Sequence, residues 1–202
     1  MIDRRTLLAG IAAMSLSAAP GFAQHQDLGV SAPDTDVPQQ RRWMMEDTYG
    51  NVVTNSDMVG KFTLIYFGYT GCPDVCPTTL ATVAEAMDML GDRAEMVVPL
   101  FVTVDPERDT AQLLREYVNY MHPSIVGLRG PAAYTDHMVK AFNARYEKYV
   151  SDPAQPDRYS IDHTASVALV GPDGFLIKRY PHGTTAAAMA EDLGAIIDES
   201  PS

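Results

Sequence analysis

The chain has 202 residues, 46% of them hydrophobic and 20% charged, which is enough apolar material for one globular domain with a substantial core. Fifteen Lys and Arg stand against 26 Asp and Glu, and a net charge of −11 makes nucleic acid a poor partner. No GxxxxGK(S/T) or GxGxxG pattern occurs, which argues against nucleotide chemistry.

Residues 1–23 read as an export signal. Arg4-Arg5 is followed by an uncharged apolar run of about 13 residues and then by Pro20-Gly21-Phe22-Ala23, the order of n-, h- and c-regions. The run is short of the roughly 20 residues a spanning helix needs, so cleavage after Ala23 is expected, with an uncleaved membrane anchor as the alternative. Asp3-Arg4-Arg5-Thr6-Leu7-Leu8 loosely resembles a twin-arginine signal, and a Sec route stays open. Either route places the folded part in an oxidising compartment, the bacterial periplasm. Loss of 1–23 removes two Arg and one Asp, leaving 13 basic and 25 acidic residues and a net charge of −12. Residues 24–41, rich in Gln, Asp and Pro without apolar periodicity, read as a flexible lead-in.

Order is expected from Trp43. Segments 43–46 and 51–54 flank the turn Asp47-Thr48-Tyr49-Gly50 and predict a small N-terminal hairpin. The run 62–67, apolar or β-branched throughout and closed by Gly68, predicts a buried strand. A helix follows, its inner face Leu80, Val83, Ala84, Met87 and Leu90, with Pro77 in the first turn and Gly91 as the stop. A second buried run, 97–104, ends at Asp105-Pro106. Asp109 is the expected N-cap of the next helix, with Gln112 at N3 and Leu113, Leu114, Tyr117 and Val118 on the apolar side. A short strand at 125–128 leads through Gly130-Pro131 to a helix with Met138, Phe142 and Tyr146 on one face. Residues 151–157 read as a surface loop. Segments 166–170 and 175–180, joined by Gly171-Pro172-Asp173-Gly174, predict an antiparallel hairpin, and a helix over 185–197 closes the chain.

Both cysteines of the chain, Cys72 and Cys76, lie where the first buried strand meets its helix. Helical geometry starting at the pair would set them about 6 Å apart on one face, a spacing that suits a disulfide and equally suits two thiolates on one soft metal. The helix N-terminus is expected to lower the thiol pKa. A structural disulfide is the third use, but a five-residue loop would restrict the unfolded chain by only about 2 kcal/mol.

The ββαβαβαββα order with a dithiol at this junction is thioredoxin-like: an α/β fold with a central mixed sheet flanked by helices and an N-terminal β-hairpin. Cys72, Cys76 and Asp105 fall at the carboxyl ends of parallel strands, where open α/β sheets bind ligands. Thioredoxins separate their cysteines by two residues, whereas here Pro73-Asp74-Val75 intervene. Thioredoxins also place a proline before the strand facing the dithiol, whereas this chain has Asp162-His163-Thr164-Ala165. His163 lies 87 residues from Cys76, so spacing alone does not join them.

Three blocks in order resemble the Sco (SenC) family of copper chaperones for cytochrome c oxidase assembly, over roughly residues 43–197. They are the segment from Tyr66 through Cys72-Pro73-Asp74-Val75-Cys76-Pro77, the segment Val102-Thr103-Val104-Asp105-Pro106-Glu107-Arg108-Asp109-Thr110, and Asp162-His163-Thr164 leading to the turn at 171–174. The resemblance implies that Cys72, Cys76 and His163 bind one copper per chain, as Cu(I) or Cu(II), within a copper-binding domain at 42–200. It implies as partners the copper-centre subunit of an oxidase, an upstream copper donor and a thiol reductant, close to a membrane. Gly71 departs from the larger residue many relatives carry. Two thiolates and an imidazole suit Cu(I), although zinc accepts the same set.

A second function uses the dithiol alone, with Cys72 and Cys76 as catalytic residues of a thiol-disulfide oxidoreductase; a peroxiredoxin-like peroxidase is a third. Asp162 is a candidate acceptor for the His163 ring. Asp105, Glu107 and Arg108 are read as loop-shaping residues or as contacts to metal or partner. Met44, Met45, Met121 and Met138 are read as packing, and His25, His122, His137 and His182 as ordinary.

Overall fold

The computed structural model describes residues 42–200; the expected export signal and lead-in lie outside the described residues. A seven-stranded sheet has the order β2-β1-β5-β4-β3-β8-β9. Its members are β1 (Met44–Asp47), β2 (Val52–Thr54), β3 (Phe62–Gly68), β4 (Val97–Thr103), β5 (Val126–Arg129), β8 (Val167–Val170) and β9 (Leu176–Tyr180). Strands β3, β4 and β5 are mutually parallel, whereas β8 joins β3 antiparallel and β1 joins β5 antiparallel. This is the mixed thioredoxin-like sheet expected, with the N-terminal hairpin as one edge.

The apolar continuity of the central strands reflects burial on both faces. Every residue of β3 and β8 is buried, and so is all of β4 except Val98. Helix α1 (Val75–Leu90) turns Leu80, Val83, Ala84, Met87 and Leu90 inward and packs on α4 (Ala186–Glu199) and α2 (Ala111–Met121). It ends at Gly91, whose φ of +57° needs no Cβ. Helix α3 (Ala132–Ala141) packs against β1. The expected turn at 171–174 is present: Asp173 Oδ1 accepts from Phe175 N at 2.9 Å, and Gly174 has φ +79°.

Two expectations change. Thr110, not Asp109, caps α2, its hydroxyl accepting from Leu113 N at 3.2 Å. Asp109 is 1% exposed and is engaged elsewhere, accepting from Thr70 and Thr103. Tyr146 does not continue the face of α3, because Asn143 takes a left-handed φ of +47° and ends the helix. The chain instead forms β6 (Tyr146–Val150), paired antiparallel with β7 (Tyr159–His163) in a separate two-stranded ribbon. The surface loop at 151–157 is the connection of that ribbon, and the ribbon ends on His163.

The parallel register sets Gly68 opposite Thr103. The loops leaving β3 and β4 therefore emerge side by side, one carrying Cys72 and the other Asp105.

Candidate metal centre

Helix α1 begins at Val75, so Cys72 sits in the loop before it and Cys76 in its first turn. The loop folds back on the helix: Cys72 N donates to Tyr69 O at 3.2 Å, and Cys76 N donates to Cys72 Sγ at 3.4 Å. Both cysteines are free thiols, Cys72 half-buried and Cys76 fully buried. Gly68 makes room for the second. A Cβ there would lie 2.7 Å from the Phe101 ring and 2.8 Å from Cys76 Sγ, closer than side-chain carbons approach. A Cβ at Gly71 would lie 3.6 Å from Tyr69, an ordinary contact, so the glycine there is not a steric demand.

Strand β7 brings in the histidine. His163 Nε2 lies 3.2 Å from Cys76 Sγ, and the donor atoms of Cys72, Cys76 and His163 all lie within 4.8 Å of one another. Thr164 O lies 3.3 Å from Nδ1. A carbonyl only accepts, so in the neutral ring this contact puts the proton on Nδ1 and turns the lone pair of Nε2 toward the thiol. The ring's acceptor is thus the Thr164 carbonyl rather than the expected Asp162, which is exposed and acts on the imidazole through charge.

The surroundings are apolar and aromatic. Tyr66 and Tyr69 meet the imidazole edge-on, each with its centroid 6.0 Å away. Tyr69 Oη accepts from Ile161 N at 3.3 Å, tying the cysteine loop to β7. Burial pushes the Cys76 thiol up, outweighing its hydrogen bonds, so the expected lowering by the helix terminus does not prevail there. Burial likewise pushes Tyr66 and Tyr69 up, and it holds the His163 imidazole below its usual value against the backbone bonds of Thr164 and Phe67. The site therefore presents a neutral imidazole beside a protonated Cys76 thiol. Binding of a metal displaces the proton between them.

An expected pH dependence follows. The His163 pKa is depressed by folding, so its contribution to apo stability is complete above the unfolded value near 6.5 and is lost as pH falls through the folded value. Urea unfolding of the reduced apo protein at pH 7.5 and 5.5 should show a drop that shrinks in His163→Gln. An unchanged drop would contradict the buried, neutral assignment.

An open groove of about 730 Å³ runs past the site, with Cys72, Asp74, Glu147, Asp162 and His163 among its lining residues. The other residues weighed from sequence go elsewhere. Asp105, Glu107 and Arg108 contact the β6–β7 ribbon. Met45 and Met138 are core, and Met44 is exposed. His122 contacts Ser124 and Asp88, His137 the Arg42 carbonyl and His182 Thr79, while His25 lies outside the described residues. Sequence reasoning missed Gly68, the Thr164 carbonyl and the tyrosine walls. The signal available for the ribbon was the pair of β-favouring residues Tyr149-Val150 following Tyr146, in a stretch that reads equally well as the end of a helix.

The SCO1/SenC family model matches residues 32–198, most of the chain. The chain belongs to the SCO1/SenC family. Among SCO1/SenC relatives, Protein SenC of Rhodobacter capsulatus is 36% identical over 149 residues, covering 74% of this chain and 66% of that protein. Protein sco1 of Schizosaccharomyces pombe is 35% identical over 150 residues, covering 74% of this chain and 57% of that protein. The aligned part thus spans just under two thirds of the first relative and little more than half of the second. Among solved structures, ScoI of Bradyrhizobium japonicum with copper bound superposes with a TM-score of 0.69 at 34% identity, covering 76% of this chain and 96% of that one. The SCO1/SenC match takes in the cysteine loop, the loop after β4 and the ribbon that carries His163.

Proposed function

We propose that this SCO1/SenC chain is a metallochaperone that carries one copper ion on Cys72, Cys76 and His163 and delivers it to the binuclear copper centre of a respiratory cytochrome c oxidase. The observation that carries the reading is the convergence of two thiol sulfurs and an imidazole nitrogen within 4.8 Å. Two soft sulfurs and one imidazole favour Cu(I) in a three-coordinate site and accept Cu(II) when another ligand is added. Copper is the cargo, so the groove beside the site is where an acceptor reaches it. Because thiolates are needed, loading requires reduced cysteines, and delivery is gated by a thiol reductant as well as by a copper donor.

Residues 1–23 support export to the bacterial periplasm, by cleavage or as an anchor, followed by the lead-in 24–41 and the copper-binding domain 42–200. Among the described residues no helix is long and apolar enough to cross a membrane.

A second reading is favoured by one observation: Cys72 lines the open groove, where a disulfide of another protein can reach its sulfur. On that reading the chain reduces a disulfide in the oxidase or in another extracytoplasmic copper protein. His163→Ala separates the two. A carrier loses copper-dependent protection of its cysteines from alkylation, while a reductase keeps its disulfide exchange. Protection in the variant equal to that of the native protein at the same low free Cu(I) would move the reductase to first place.

A further inference from the structure

The third donor of the site rides on a ribbon that shares no strand pairing with the main sheet. Two-stranded ribbons are marginal alone, so something must hold His163 over the dithiol. The loop after β4 contacts both the ribbon and the cysteine loop through adjacent residues. The Asp109 carboxylate takes Thr70 N at 3.0 Å and Thr70 Oγ1 at 2.5 Å, fixing the loop that leads to Cys72. Arg108 faces the other way. Its guanidinium lies 3.6 Å from the Tyr159 ring centroid, donates from Nη1 to Tyr159 O at 3.0 Å and pairs through Nε with Asp105. Tyr159 Oη completes the ring by donating to Asp105 Oδ1 at 2.8 Å. On β6, Lys148 Nζ lies 3.6 Å from the same Tyr159 centroid and 3.3 Å from Glu107. Both strands of the ribbon are therefore fastened to the segment whose next residue fastens the cysteine loop.

We propose that Arg108 is a positioning residue for copper: through Tyr159 and Asp105 it holds the β6–β7 ribbon so that His163 stays within bonding reach of Cys72 and Cys76. The proposal rests on the ligand set given under Proposed function and goes beyond it, since Arg108 touches neither sulfur nor imidazole in any contact described. Its action is mechanical. A planar fork that stacks on Tyr159 while bonding a carboxylate and a carbonyl fixes the start of β7 in both direction and distance, which a lysine ammonium does not.

The test uses the reduced protein and four readouts. These are Cu(I) affinity by competition with a chromophoric Cu(I) chelator, amide hydrogen exchange over 146–163, the dithiol–disulfide potential of the apo form, and a cycle with His163→Ala. Arg108→Gln is expected to lower Cu(I) affinity about 10–100-fold, as loss of outer partners of a metal site does. It should also speed exchange in the ribbon and leave the apo dithiol potential at the native value. In the His163→Ala background the same change should cost no further affinity, because the two residues act through one bond. Arg108→Lys keeps a charge beside Asp105 but not the fork, and should lose about 2–12-fold, the worth of one hydrogen bond; it carries the test if Arg108→Gln does not fold. Native affinity in these variants, or an equal loss with and without His163, overturns the positioning role alone. If His163→Ala itself binds Cu(I) as tightly as the native protein, the ligand set falls and the proposal falls with it.

Discussion

Oxidation of Cys72 and Cys76 to a disulfide is expected to abolish copper binding. The two sulfurs and His163 Nε2 lie within 4.8 Å of one another, and the reduced pair offers two thiolate donors when metal displaces the thiol protons. A disulfide draws the sulfurs to about 2.05 Å and offers no thiolate, leaving one imidazole as the donor. The loss must exceed the roughly 10–100-fold that removal of an outer partner costs a metal site, because here two bonded donors disappear. Cu(I) titration of reduced and oxidised protein with metal analysis checks this: one copper per chain is expected for the first and none for the second. Because burial raises the Cys76 pKa, affinity in the reduced form should also rise as pH rises, each bound copper releasing protons.

The second large effect is at Gly68. An alanine Cβ would lie 2.7 Å from the Phe101 ring and 2.8 Å from Cys76 Sγ, in a strand buried along its whole length. Forcing one methyl group into a filled core costs about 1–3 kcal/mol, or roughly 2–12 °C in Tm for a domain of this size. The same contact displaces Cys76 Sγ from the position it shares with His163, so Gly68→Ala should lower both Tm and Cu(I) affinity. Thermal unfolding and chelator competition measure the two. A variant with native Tm and native affinity would show that Cys76 does not sit against this glycine.

The fold was legible where burial makes one pattern dominate. Strands β3, β4 and β8 read as runs of predominantly apolar and β-branched residues because both faces of the sheet are covered, and the inner face of α1 repeats at helical spacing down to Gly91. It was not legible where two local rules agree on the wrong residue. Asp109 and Thr110 are both good caps, and the choice between them is made by Thr70 and Thr103, whose donors reach Asp109 from other segments. Tyr146 falls four residues after Phe142, as a helix would place it, yet Asn143 in a left-handed conformation breaks the helix between them. The cysteine pair was evident as a chemical site, but its expected acidity was set by the helix terminus alone, and the burial of Cys76 that reverses it depends on packing against Gly68 and Tyr66. Nothing in the spacing joined His163 to Cys76 across 87 residues; the resemblance did so, and the ribbon β6–β7 is the physical means.

X-ray absorption of the Cu(I)-loaded reduced protein tests the central claim most directly, because it counts the atoms bound to the metal. Two sulfur scatterers and one imidazole nitrogen are expected, with the imidazole signal absent from His163→Ala and one sulfur lost in each single cysteine variant. Copper bound by sulfur alone in the native protein, or an imidazole signal that survives in His163→Ala, would contradict a site built from Cys72, Cys76 and His163.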